Sequence, residues 1–131
     1  MTAIKFGFLR RALLVTAVLA SAQLHAQNSE IRMLVQSSPL AGFQYYQGEQ
    51  LWQEIRIGDP LTLAREPENT HDSYAVRVEW RGHKLGYVPQ RENRAVAQHM
   101  DRGGNVEARV SKLRQHRNPW QRIEFEVFVK L

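Results

Sequence analysis

From residue 61 onward, apolar and polar residues alternate in several short stretches, each bounded by turn residues. In 61–65, Leu61 and Leu63 share one face. In 75–80, Val76, Val78 and Trp80 face one way, and Arg77 and Glu79 the other. A period of two with one apolar face predicts a half-buried strand. Arg81-Gly82 predicts a two-residue hairpin turn into a returning strand over 83–88. Pro89 ends that strand, since it lacks the N–H that would continue the ladder. Alternation resumes in 106–113, with Val106, Ala108, Val110 and Lys112 on one side. It resumes again in 123–131, with Ile123, Phe125, Val127 and Val129 inward and Glu124, Glu126 and Phe128 outward. One stretch has a different period. Across 91–102, Ala95, Val96, His99 and Met100 recur at helical spacing until Gly103-Gly104 stops them, which predicts the main helix. Residues 47–55 hold a short helical turn around Leu51 and Trp52, and Asp59-Pro60 marks a turn. Residues 27–38 read as a linker or, through Ile31 to Val35, as a first strand. The pattern is mainly β: a small barrel of about six strands with one main α-helix.

The N-terminus follows another logic. Lys5, Arg10 and Arg11 precede the uncharged run ALLVTAVLASA, and Ala20-Ser21-Ala22 and Leu24-His25-Ala26 offer small-residue exits. This is the layout of a secretory signal peptide, expected to be removed within residues 1–26. The apolar run is too short for the ~20 residues of a membrane-spanning helix, so no span is expected after cleavage. The expected location is periplasmic or secreted. Cleavage also changes the charge. The 131-residue chain carries a formal +5, and losing three bases and no acid leaves only +2. What remains is unevenly spread: between Arg102 and Arg122 six bases face Glu107 alone. Cysteine is absent, so the domain rests on its apolar core and has neither thiol catalysis nor thiolate metal sites.

Three segments could carry chemistry. The first is Gly42-Phe43-Gln44-Tyr45-Tyr46, read as a strand. Adjacent tyrosines on a strand point to opposite faces, so one is exposed or in a groove unless both pack on a neighbouring turn. Exposed rings are the stacking platforms of single-strand binders. The second is the polar loop from Arg65 to Ala75. Asn69 and Asp72 there serve either their own backbone or a ligand, and His71 stands between them. The third is Lys112 to Arg122, where Arg114, Arg117 and Trp120 form either a solvated hairpin loop or a surface for phosphates, in nucleic acid or lipopolysaccharide.

Set in order, these pieces resemble the HIRAN domain from about Pro39 to Leu131. The carriers are Ala41-Gly42-Phe43-Gln44-Tyr45-Tyr46, then Gly58-Asp59-Pro60-Leu61-Thr62-Leu63. The loop Arg65 to Asp72 follows, leading into Ala75-Val76, and Leu85-Gly86-Tyr87-Val88-Pro89 precedes the helix. The resemblance implies an OB-like modified β-barrel that, in its best-understood members, grips the 3′ end of single-stranded DNA. Carried over by position, it implies Gln44, Tyr45 and Tyr46 on the binding strand, and Asn69, His71 and Asp72 in the loop over the terminal nucleotide. Asp72 would receive the free 3′-hydroxyl, and Tyr87 would face the same groove. Three positions depart from the pattern: Gln44 where a basic residue is common, His71 where an aromatic can stand, and Thr70 for a usual proline.

No nucleophile, phosphate-loop or zinc-protease motif appears, and His71, His83, His99 and His116 are scattered. The expectation is a non-enzymatic module without cofactor or metal that binds nucleic acid, single-stranded DNA in particular. The competing expectation is a periplasmic module that reuses the fold for a protein or another anion. A DNA-end reader belongs in the cytoplasm, whereas the leader directs export. Either the exported domain meets nucleic acid outside, or its partner is different, or translation starts at Met33.

Overall fold

The computed structural model describes residues 30–131; the leader expected at 1–26 lies outside them. Six strands form one antiparallel sheet, β1 (Arg32–Pro39), β2 (Pro60–Arg65), β3 (Val76–Trp80), β4 (His83–Tyr87), β5 (Val106–Leu113) and β6 (Ile123–Lys130), in the order β1-β6-β5-β2-β3-β4. Two helices are inserted, α1 (Gly48–Leu51) and α2 (Arg94–Asp101). Alternation placed the strands correctly because each buries one face. Val76, Val78 and Trp80 are buried, as are Ile123, Phe125 and Val127, and they meet Leu61, Leu85, Ala108 and Val110 in a single core cluster.

The sheet curls because β2 serves two halves. Its start pairs with β5 at Pro60–Arg109 and Leu61–Ala108, and the rest pairs with β3 from Thr62–Glu79 to Arg65–Val76. The sheet does not close, contrary to the barrel expected from the sequence. After Pro39 the chain pairs with β4 in one isolated β-bridge, Ala41–Tyr87, where each N–H donates to the other's carbonyl at 3.0 and 2.9 Å, and Gln47 adds a single backbone bond to the Lys84 carbonyl at 3.2 Å. Gly42 then takes a left-handed φ of 79° and the chain leaves as a 3-10 turn, Phe43–Tyr45, so no ladder forms.

Three other local readings change. Gln44 to Tyr46 belong to that turn and its end and not to a strand, because Phe43 plunges into the core and Gly48 packs against its ring. The helix of 91–102 is divided: a 3-10 turn at Gln90–Glu92 precedes α2, and Asn93 between them is buried. Its core face carries Val96 and Ala97, while Ala95 points to solvent. Lys112 leaves the apolar face because the β5–β6 register shifts between Val110 and Lys112, which aligns Leu113 with Ile123. Arg81 and Gly82, with φ of 46° and 80°, make the predicted tight turn, its two positive φ values matching the twist of β3 and β4.

A second shift, between β3 and β4, sets up the functional face. Val78 pairs with Gly86 and Glu79 with Lys84, so Leu85 is an extra, bulged residue. Gly86 lies so close to the chain crossing at Ala41 that a Cβ there would collide with the Ala41 carbonyl. The substitution Gly86→Ala is therefore expected to destabilise the domain by about 1–3 kcal/mol through overpacking at the bridge. Chemical denaturation of the two proteins measures it, and unchanged stability would mean that the bridge yields freely.

Candidate nucleic-acid interface

Tyr87 ends β4 and projects toward the turn that follows β1. Its ring lies 5.9 Å from that of Tyr46, at 66°, in an edge-on contact. Lys84, brought to the same side by the Leu85 bulge, extends its ammonium over both rings, 4.1 Å from the Tyr46 centroid and 4.5 Å from that of Tyr87. The ammonium donates to the Tyr87 hydroxyl at 2.7 Å, and that hydroxyl donates to Glu66 at 2.9 Å. Glu66 also accepts from Asn69 and from Arg77, and Arg77 reaches on to Glu79. One wall of the site is thus two tyrosines, with a cation over their rings and an ion-pair network behind them.

The opposite wall is the Glu66–Ala75 loop. Asn69 Oδ1 accepts the backbone N–H groups of His71 and Asp72, and Asp72 Oδ1 accepts that of Tyr74. These are the local side-chain bonds that make Asn and Asp turn residues. Two latches fix the loop to the body. Arg65 donates to the carbonyls of Ser73 and Ala75 while pairing with Asp101 at the end of α2. The buried Asn93 donates to Asp72 Oδ2 at 2.6 Å. Asp72 therefore has one internal bond on each oxygen, half of the roughly four acceptor sites of a carboxylate. The remaining acceptor sites are available to a ligand.

Between the walls lies an open cavity of about 300 Å³ lined by Tyr46, Asn69, His71, Asp72, Tyr87 and Gln90, among others. Five residues singled out in the sequence, from three separate segments, thus meet at one place. Gln44 and Tyr45 stand outside on the adjoining turn, with Tyr45 75% exposed and its ring 6.5 Å from that of Tyr46. Arg114, Arg117 and Trp120 lie on the β5–β6 loop. Trp120 is 42% exposed, and Arg117 lines a different cleft. Lys84, Glu66 and Gln90 were missed by sequence reasoning. Lys84 and Tyr87 are three apart on a strand, which a regular pleat would place on opposite faces; only the bulge unites them.

The charge pattern also changes. Arg109 pairs with Glu126, Lys112 with Glu124, and Arg122 with Glu49. Of the bases counted from Arg102 to Arg122, only Arg102, Arg114 and Arg117 lack an acidic partner among the described residues. No cluster of three or more metal-ligating side chains occurs among those residues, and none of their helices is long and apolar enough to cross a membrane.

Burial works to raise the Glu66 carboxyl, but hydrogen bonds from Tyr87, Asn69 and Arg77 and the charge of Lys84 outweigh it, leaving it below the ordinary glutamate range. Burial likewise opposes the Lys84 charge, and the bond to Tyr87 together with the surrounding negative charge outweighs it, so the ammonium is raised. A depressed carboxyl stabilises the fold fully above its unfolded value, about 4.3, and ceases to do so as pH falls through the folded value. The variant Glu66→Gln is accordingly expected to lose on the order of 1–2 kcal/mol at neutral pH. The gap from the wild type closes as the medium is acidified below the ordinary glutamate value. Urea titrations over a pH series measure it, and a gap that persists in acid would contradict the network.

Comparison with known proteins bears on the fold and the family. A protein from Lactobacillus plantarum of known crystal structure has a TM-score of 0.69 at 25% identity, over 78% of this chain and 98% of that one. The HIRAN domain of human HLTF has a TM-score of 0.54 at 20% identity, over 76% of this chain and 77% of that one, a likeness of fold. No curated protein matches. The family match spans residues 33–131, which include every wall of the cavity. This chain belongs to the HIRAN domain family.

Proposed function

We propose that this domain binds nucleic acid and grips the 3′ end of a single DNA strand between the Tyr46–Tyr87 rings and the Glu66–Ala75 loop. The observation that carries the reading is the convergence of Tyr46, Asn69, His71, Asp72 and Tyr87 around one cavity. HIRAN domains are known as nucleic-acid-binding modules, binding rather than catalytic, which supports the class of partner. The finer roles follow from chemistry. The tyrosine rings offer faces to the terminal base, a contact worth about 1–3 kcal/mol per base. Asp72 accepts the free 3′-hydroxyl with the acceptor sites its internal bonds leave open, and Asn69 holds the loop that presents it. His71, exposed at the cavity rim, contacts the sugar or base. The Lys84 ammonium supplies beside the rings the positive charge that Gln44 does not. Tyr45 extends the stacking surface outward, and Arg114 and Trp120 on the β5–β6 loop border the approach of the strand.

A carboxylate at the strand end also repels a terminal phosphate. The domain is expected to bind a short single strand ending in a 3′-hydroxyl at least about tenfold more tightly than its 3′-phosphorylated twin. In Tyr46→Ala both strands weaken together, whereas Asp72→Ala abolishes the preference. Fluorescence anisotropy at low salt reads both. Equal affinity for the two strands in the unaltered protein would end this mechanism, and binding indifferent to salt as well would move the molecule to the protein-interaction role.

We propose further that the domain works after export, the signal-like layout of 1–26 being the support. Mass spectrometry of the secreted or periplasmic protein is expected to find a new N-terminus after Ala22 or Ala26. An intact Met1, or a start at Met33, would return the domain to the cytoplasm.

A further inference from the structure

A larger cleft, about 520 Å³, lies between α1 and the β5–β6 loop, lined in part by Phe43, Glu49, Trp52, His116, Arg117 and Arg122. Its floor is aromatic: Phe43 and Trp52 meet edge-to-face at 5.8 Å and 83°, with Phe43 buried and Trp52 half-buried. Its wall is cationic. The Arg122 guanidinium stands 5.2 Å above the Phe43 ring, anchored by bonds to the His116 carbonyl and to Glu49. Glu49 is the sole acid in that lining, and it is engaged by Arg122, while the exposed Arg117 has no acidic partner among the described residues. The recess therefore carries net positive charge over an aromatic floor. That combination suits a nucleotide, its base against the indole and its phosphate against guanidinium.

The two sites share a turn. Phe43 floors the cleft and Tyr46 walls the cavity; Tyr45 lies between them in the chain, exposed, its ring 6.5 Å from that of Tyr46. A cavity of about 300 Å³ sits at the small end of ligand sites, which run to about 1,000 Å³. Its size suits the tip of a strand, whereas single-strand modules cover about 4 or more nucleotides. Resting on the reading given under Proposed function, we propose that the Phe43–Trp52–Arg122 cleft is a second nucleotide subsite. It takes the same single strand on the 5′ side of its gripped end, with Tyr45 spanning the two sites and Arg117 contacting phosphate.

A length series of oligothymidylates with free 3′-hydroxyls, from dinucleotide to decamer, tests this on the purified protein. Affinity is expected to rise about tenfold or more with length, the gain that one stacked base can supply. In Arg117→Ala that gain shrinks, and the salt slope for long strands falls by about one; Arg117→Lys restores most of it. Arg117 is exposed, so neither change threatens folding. In a Trp120→Phe background, with Trp80 buried, long strands should quench Trp52 and the dinucleotide should not. A length gain independent of Arg117, with no quenching of Trp52, overturns the subsite even where the dinucleotide still prefers a 3′-hydroxyl. Conversely, an Arg117-dependent gain with Trp52 quenching upholds the cleft as a nucleotide site even if the 3′ group proves irrelevant, an outcome that sinks only the end grip.

Discussion

Two backbone hydrogen bonds between Ala41 and Tyr87 join the far edges of an otherwise open sheet, and the binding face is organised around them. Each is worth only about 1 kcal/mol net. Their effect is geometric: they bring the turn after β1 against the end of β4, which sets Tyr46 opposite Tyr87. Gly86 makes the crossing possible because no side chain stands between the chains. Had the edges closed into a continuous ladder, the segment 43–46 would have been a strand. The turn instead buries Phe43, exposes Tyr45 and sets Tyr46 at the cavity.

The loop across the cavity shows how a residue can hold a bend and still keep hydrogen-bonding capacity. Asn69 shapes the bend, accepting two backbone N–H groups and donating one N–H to Glu66. Asp72 gives one bond site on each oxygen to the fold and keeps others free. A loop held by Arg65 at one side and Asn93 at the other loses little freedom on meeting a ligand, and such preorganisation lowers the cost of binding. The same latches tie the loop to both ends of α2, so the helix supports the site without entering it.

Electrostatics are divided between the two regions. In the network behind Tyr87 the charges are balanced, with Lys84 and Arg77 facing Glu66 and Glu79, while Asp72 adds a carboxylate to the cavity itself, which favours a defined geometry over general attraction of anions. On the β5–β6 loop Arg114 and Arg117 are exposed and have no acidic partner among the described residues. In the proposed function, long-range steering of a polyanion would fall to the loop and discrimination to the cavity.

The sequence by itself determined the strands β2 to β6, the Arg81-Gly82 hairpin and the family, but left β1 open and suggested a strand where Phe43–Tyr45 is a turn. Alternation reports which face is buried, and turn residues such as Gly82 report backbone angles, both of them local properties. It also carried Tyr46, Asn69, His71, Asp72 and Tyr87, through the order and spacing of the segments that hold them. Other features depended on register and crossing, which no window of residues contains. The Leu85 bulge moved Lys84 beside Tyr87, and the shift after Val110 turned Lys112 outward. Cross-strand partners such as Glu124 and Glu126 neutralised bases that look unopposed along the chain. The isolated bridge at Ala41 left the sheet open where the pattern of short strands suggested closure. These were decided by tertiary structure because each depends on which residue of a distant strand arrives opposite, a consequence of packing the whole core.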